Sequence, residues 1–135
     1  NENTRLLREA LASVGIDEDL APTWFPEGFT AEEPEIADST LSERVYFVLN
    51  NESGHFVNIT ITRYLSVEYL ATEKFEKNAD NAETYFNGIQ MFYLFSNNDT
   101  ITATWADGLL MEQISGDVSE DEVKLMIDSI GGEIN

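Results

Sequence analysis

The side chains able to do chemistry in this chain are few and scattered. His55 is its only histidine, and it follows Gly54 at the end of an NNESG segment that reads as a hairpin turn. No serine or carboxylate is tied to it by a recognised motif, so it reads as polar turn surface rather than as a catalytic base. There is no cysteine, which excludes disulfides, thiolate metal ligation and a cysteine nucleophile. A hydrolase needs a nucleophile, a base and oxyanion donors converging in one cleft. With His55 set aside, a carboxylate base held among paired, buried acids is what such an enzyme would use here.

Two acidic clusters invite a metal reading. One is Glu32, Glu33, Glu35 and Asp38; the other is Asp117, Glu120, Asp121 and Glu122. Neither has the D-x-[DN]-x-[DN]-G spacing of a calcium loop. The second cluster falls in the first turn of a helix, where carboxylates complement the helix dipole. Solvated faces are therefore expected, with no metal and no cofactor. The glycines are scattered, mostly at turns, so no phosphate-binding loop is present. Asn51, Asn58 and Asn98 each begin an N-x-[ST] triplet, a short pattern to which we give no weight. Trp24, Phe25, Phe29 and Trp105 would suit a binding groove, but the area that each ring buries favours the core. No catalytic, cofactor-binding or metal residue is assigned from the sequence, nor any ligand-binding residue.

The balance of charge narrows the partners. The 135 residues carry 26 acids against 7 lysines and arginines, a formal charge of −19. Nucleic acid and anionic membrane surfaces both require cations that this chain lacks. No apolar run approaches the length of a membrane span. The chain opens at Asn1 rather than at methionine, which we read as a trimmed fragment, with any membrane attachment through a missing N-terminal anchor.

The elements that must position any site follow from periodicity. Leu6, Leu7, Ala10, Leu11 and Val14 form a helical stripe over residues 4–14, with Thr4 as N-cap and Gly15 as the stop, onto which Ile16 folds back. In TWFPEGF, Pro26 holds Phe25 extended, Glu27-Gly28 completes a turn, and Phe29 begins the first strand. Strands are predicted over Val45–Leu49 and Phe56–Leu65, with Val57, Ile59 and Ile61 on the buried parity of the second. Residues 66–82 read as a turn or two of helix followed by a polar loop. A meander then runs through Glu83–Phe86, Ile89–Ser96, Thr100–Ala106 and Leu109–Ser115. Asn87-Gly88 and Asp107-Gly108 favour tight hairpins within it, and SNND makes a third reversal.

Strand 89–96 is apolar on both alternations, so both of its faces are expected to be covered. A three-residue SNND loop places Tyr93 with Ala103 and Trp105; a loop of two or four places Phe92 and Leu94 there instead. A capping box, Ser119 with Glu122, starts a final helix. Its stripe is Val123, Met126, Ile127 and Ile130, and Gly131 ends it. The expected fold is α+β: one twisted antiparallel sheet of about six strands, the C-terminal helix on one face, and a short N-terminal helix covering the other face or an edge. Residues 1–21 form the N-terminal helix and connector, and 22–135 one domain of sheet plus helix.

Residues spread along the chain together resemble a known family. They are Trp24, Pro26, Gly28 and Phe29 in a W-x-P-x-G-[FY] opening; Asn87 and Gly88; Trp105 and Gly108; Ile114 and Gly116; Ser119 and Glu122; and Ser129-Ile130 at the end of the last helix. In this order, over about residues 22–131, the chain resembles a large family of bacterial domains of unknown function. They are found outside the membrane, often at the C-terminal end of membrane-anchored anti-sigma-factor-like proteins and related lipoproteins. The resemblance implies an extracytoplasmic, cell-envelope location and a non-enzymatic sensor or interaction role toward a protein, peptide or small apolar ligand. The alternative is a carrier of a small apolar ligand or lipid, which requires an open apolar cavity of roughly 300 Å³ or more.

Overall fold

The computed structural model describes residues 1–66 and 82–132. The elements run in the order α1 (Glu2–Ser13), β1 (Thr30–Ala31), β2 (Glu35–Asp38), β3 (Ser42–Asn50), β4 (Phe56–Tyr64), β5 (Glu83–Phe86), β6 (Met91–Asn97), β7 (Thr100–Asp107), β8 (Leu110–Gly116) and α2 (Glu120–Asp128). The expectation for residues 66–82 lies almost entirely outside the described residues.

All eight strands form one antiparallel sheet in the order β1-β3-β4-β8-β7-β6-β5, with β2 also pairing with β3. The sheet is therefore larger than the six strands expected. Beyond the six ranges from 45 onward come two short segments, β1, which follows the strand start expected at Phe29, and β2, which was not expected; they share one side of β3. β2 escapes a periodicity search because all four of its residues are exposed. Its acidic ends, Glu35 and Asp38, suit an edge that must not recruit another strand. The meander is as expected, β5 through β8, and β8 then closes onto β4.

Period-two alternation assigns the faces. Val45, Phe47 and Leu49 on β3 stand opposite Ile61, Ile59 and Val57 on β4, and Ile59 stands opposite Ile114 on β8. All of these are fully buried. They meet Leu7, Ala10 and Leu11 of α1 and Val123, Met126 and Ile127 of α2 in a single core. Both helices thus lie on the same face, which corrects the expectation that α1 covers the second face or an edge. α1 packs toward the β1–β3 side and α2 toward β7. One helix alone is too narrow to cover so wide a sheet.

The hairpin at Ser96–Asp99 has a definite register. Asn97 pairs with Thr100, leaving the two-residue loop Asn98-Asp99, with Asn98 at φ 59°. This is the parity that joins Phe92 and Leu94 to Ala103 and Trp105. Phe92 and Leu94 are buried, but Met91 and Tyr93 on the opposite face are 44% and 38% exposed. The expectation that both faces of this strand are covered is therefore corrected. Asp107 pairs with Leu110 around Gly108-Leu109, again a two-residue loop. The Asn87-Gly88 turn is wider than expected. Phe86 pairs with Met91 across four loop residues, and the Asn87 carboxamide accepts the Ile89 and Gln90 N–H groups at 2.9 and 2.7 Å.

Caps set the helix ends. α1 begins two residues earlier than expected, because the Asn1 side chain, not Thr4, accepts the free N–H of Thr4 at 2.8 Å. Thr4 is instead buried and donates its hydroxyl to the Pro22 carbonyl at 2.8 Å. Gly15 at φ 75° and Ile16 close the helix as expected, with N–H groups donated to Ala12 and Leu11 carbonyls. At α2 the capping box of Ser119 and Glu122 is present in both directions.

Candidate functional site

The aromatic-rich stretch after the first helix is a clasp. Ser129 Oγ, at the end of α2, accepts the N–H groups of Thr23 and Trp24 at 2.9 and 3.0 Å, and Thr23 Oγ1 donates to the Ser129 carbonyl at 2.9 Å. The start of the W-x-P-x-G-F segment is thereby pinned to the Ser-Ile helix end more than 100 residues later. Phe29 is buried and Phe25 packs partly buried against the core. Trp24 is 37% exposed, so it contributes less to the core than its type suggests.

Trp105 has a different place. It stands on β7 opposite Glu112 of β8, with its ring 6.5 Å from that of Phe92. Its outer side walls an open cleft of about 460 Å³. Leu20, Ile89, Leu110 and Ile130 supply the other apolar walls, and Glu18, Asp19, Gln90 and Asp107 the polar rim. The cleft is built where the α1–β1 connector, the end of α2, the β5–β6 turn and the β7–β8 turn come together. Trp24 lies outside it. Arg8, the nearby cation, is held by Asp19 at 2.9 Å and by the Gly132 carbonyl at 2.9 Å. Glu18 and Asp107 are left as the rim's uncompensated acids among the described residues.

Beside this cleft lies a residue that the sequence reading passed over. Glu112 is fully buried on the helix-facing side of β8, and neither carboxylate oxygen has a hydrogen-bond partner among the described residues. Its directly opposed neighbours are Ile61 on β4 and Trp105 on β7, and Leu110 and Ile114 flank it along the strand. Desolvation pushes its carboxyl well above the usual range, because burial without compensation disfavours the charged form. The signal was present in the alternation: Leu110, Glu112 and Ile114 share one parity, so an acid occupies an apolar position.

The sequence-derived candidates behave differently. His55 is not isolated: its Nδ1 lies 3.1 Å from Asp117 Oδ2, while Asp117 Oδ1 accepts the Phe56 N–H at 2.8 Å. That backbone bond, followed by the His55 contact, holds the Asp117 carboxyl below its ordinary range. The pair joins the β3–β4 turn to the end of β8. His55 is more than half exposed, and no nucleophile hydrogen-bonds to it among the described residues. Glu32, Glu33, Glu35 and Asp38 spread along an exposed edge, where Glu32 accepts from the Asn50 side chain. Glu120, Asp121 and Glu122 occupy the first turn of α2, apart from Asp117. No group of three metal-ligating side chains occurs among the described residues. Asn51 is spent on its own turn, accepting from Ser53 and His55 N–H groups. Asn58 is exposed on β4, and Asn98 sits at the tip of the β6–β7 hairpin.

Residues 19–130 match a domain of unknown function, DUF4367. The chain belongs to the DUF4367 family. No curated protein and no solved structure matches it. The matched region of this DUF4367 domain begins at the connector that walls the cleft and ends with the last residue of the Ser129-Ile130 pair. It therefore takes in the clasp and all of the residues around the cleft except Glu18 and Gly131. Among the described residues, no helix is long and apolar enough to cross a membrane.

Proposed function

We propose that this DUF4367 domain is a non-enzymatic recognition module, an extracytoplasmic sensor or interaction domain of a membrane-anchored, anti-sigma-factor-like regulator. The observation that carries the recognition part is the cleft beside Trp105, with an apolar wall and an acidic rim. Its walls come from four separate segments of chain. An occupant that bridges them restrains their relative motion, and by binding one arrangement more tightly shifts the population toward it. The extracytoplasmic and anti-sigma parts rest on the sequence resemblance. The formal charge of −19 suits a soluble domain that stays clear of anionic lipid headgroups.

A second reading, a carrier for a small apolar ligand, is favoured by the size of the cleft. About 460 Å³ falls within the range of small-molecule pockets, roughly 300–1,000 Å³. The polar rim argues for an amphipathic occupant rather than a wholly apolar lipid.

Two measurements on the protein as its own cells make it test this proposal. Protease added to intact cells degrades the domain if it lies outside the membrane; complete protection until lysis refutes the location. Native mass spectrometry of the domain released from those cells, with and without an Ala106→Trp change at the exposed end of β7 as a control and Leu110→Arg in the cleft, tests recognition. A bound mass lost only in the Leu110→Arg variant supports it, and a bound mass equally present in both variants places the site elsewhere.

A further inference from the structure

A buried carboxyl with no partner is costly to a fold even when neutral, and such groups gather at functional sites. Glu112 is one. Leu110, two residues before it on the same strand face, and Trp105, directly opposite on β7, both wall the cleft. Glu112 does not itself line the cleft, but it neighbours these two wall residues. The cleft rim adds Glu18 and Asp107, and the nearby Arg8 is committed to Asp19 and a backbone carbonyl. Three features coincide: an apolar channel wall, an acidic entrance and an uncompensated acid beside it.

Resting on the recognition reading above, we propose that the cleft binds a protonated amine carried on an alkyl stem, with the stem against Trp105 and Leu110 and Glu112 as the counter-charge reached when Trp105 swings aside. A cation fits better than an anion because no free basic group stands at the rim among the described residues. It fits better than a neutral acceptor because the rim acids favour positive charge at the entrance. On binding, Glu112 releases its proton to solvent and the ammonium takes its place, so the buried site stays neutral overall.

Among the described residues, the other charged groups on this side of the sheet are engaged or distant. Arg63 on β4 bonds Glu43 and the Val14 and Gly15 carbonyls at the end of α1. Lys124 on α2 pairs with Glu120 at 3.0 Å and lies over the Tyr85 ring. Asp128 accepts the Tyr85 hydroxyl at 2.8 Å. Glu83 lies at the far end, on β5. The shared chemistry, an alkyl ammonium, is offered equally by a free amine or by a lysine side chain in a peptide.

The test uses Trp24→Phe protein, in which Trp105 is the remaining indole, and follows its fluorescence. Octylamine, octanol and octanoate are titrated at pH 7, with a parallel pair of short peptides, Leu-Lys-Leu and Leu-norleucine-Leu with blocked ends. Octylamine is expected to bind at least tenfold more tightly than octanol, and octanoate least. Its affinity rises between pH 5 and 7, because each molecule bound expels a proton. Glu112→Gln brings octylamine to within about threefold of octanol, leaves octanol unchanged, and flattens the pH dependence. A Glu18→Gln/Asp107→Asn double variant binds octylamine more weakly, because the rim charge that attracts the ammonium is lost, but keeps the pH dependence, which belongs to Glu112. A lysine-peptide preference at lower concentration than octylamine identifies a protein partner as the source; the reverse identifies a free amine. Equal binding of octylamine and octanol overturns the cation assignment while leaving the cleft as a site. A preference that survives Glu112→Gln overturns the role of Glu112. If none of the probes binds, the recognition reading of the cleft falls as well.

Discussion

Replacing Glu112 with glutamine should stabilise this protein at neutral pH, and by an amount that grows with pH. The carboxyl is fully buried and both oxygens lack partners among the described residues, so its folded pKa lies well above its value in the unfolded chain. Below the unfolded value, the group is protonated in both states and contributes no pH-dependent penalty. As pH rises, the unfolded chain loses the proton first, and the fold loses stability until the folded pKa is passed. The slope in that window is about 1.4 kcal/mol per pH unit. Two units above the unfolded pKa therefore cost about 2.7 kcal/mol if the folded group is still protonated. Glutamine has nearly the same shape and does not titrate.

Urea unfolding followed by tryptophan fluorescence, from pH 4.5 to 8 on both proteins, measures this directly. The other acids are common to both and cancel in the difference, including the self-repulsion of so acidic a chain. The variant should match the wild type near pH 4.5 and exceed it increasingly as pH rises, by about 1.4 kcal/mol per pH unit for as long as the folded carboxyl keeps its proton. For a domain of this size, that is roughly 3–5 °C in Tm per kcal/mol. A difference that stays flat across the range refutes the reasoning, since it would mean that Glu112 titrates alike in the folded and unfolded chains. A glutamine variant less stable at pH 7 would likewise show that the carboxylate has a stabilising partner.

Gly116→Ala should be destabilised by about 1–3 kcal/mol, because an added Cβ would lie 2.6 Å from the Phe56 carbonyl oxygen; a midpoint unchanged in urea would sink this. Ser129→Ala removes the acceptor shared by the Thr23 and Trp24 N–H groups and should cost about 1–2 kcal/mol. Amide hydrogen exchange should then quicken at Trp24 well beyond the global change, and equal protection in both proteins would show that the clasp is replaced by another acceptor.

Much of this architecture is local and was legible in the residues themselves. Alternation marked Val57, Ile59 and Ile61 as one buried row, and Ser119 with Glu122 marked the start of α2, because strand parity and capping involve neighbours a few positions apart. Ser119 and Glu122 also belong to the set of residues that carried the resemblance to a domain family. Tertiary structure decided what depends on distant partners. It placed α1 beside α2 on one face, chose the two-residue register that buries Phe92 and Leu94, and joined Ser129 to Thr23. It also brought an unpaired Glu112 next to a cleft walled by Trp105. A carboxylate on an apolar parity is visible in sequence, but whether a partner reaches it is fixed by packing across the sheet, where chain positions far apart supply the surroundings.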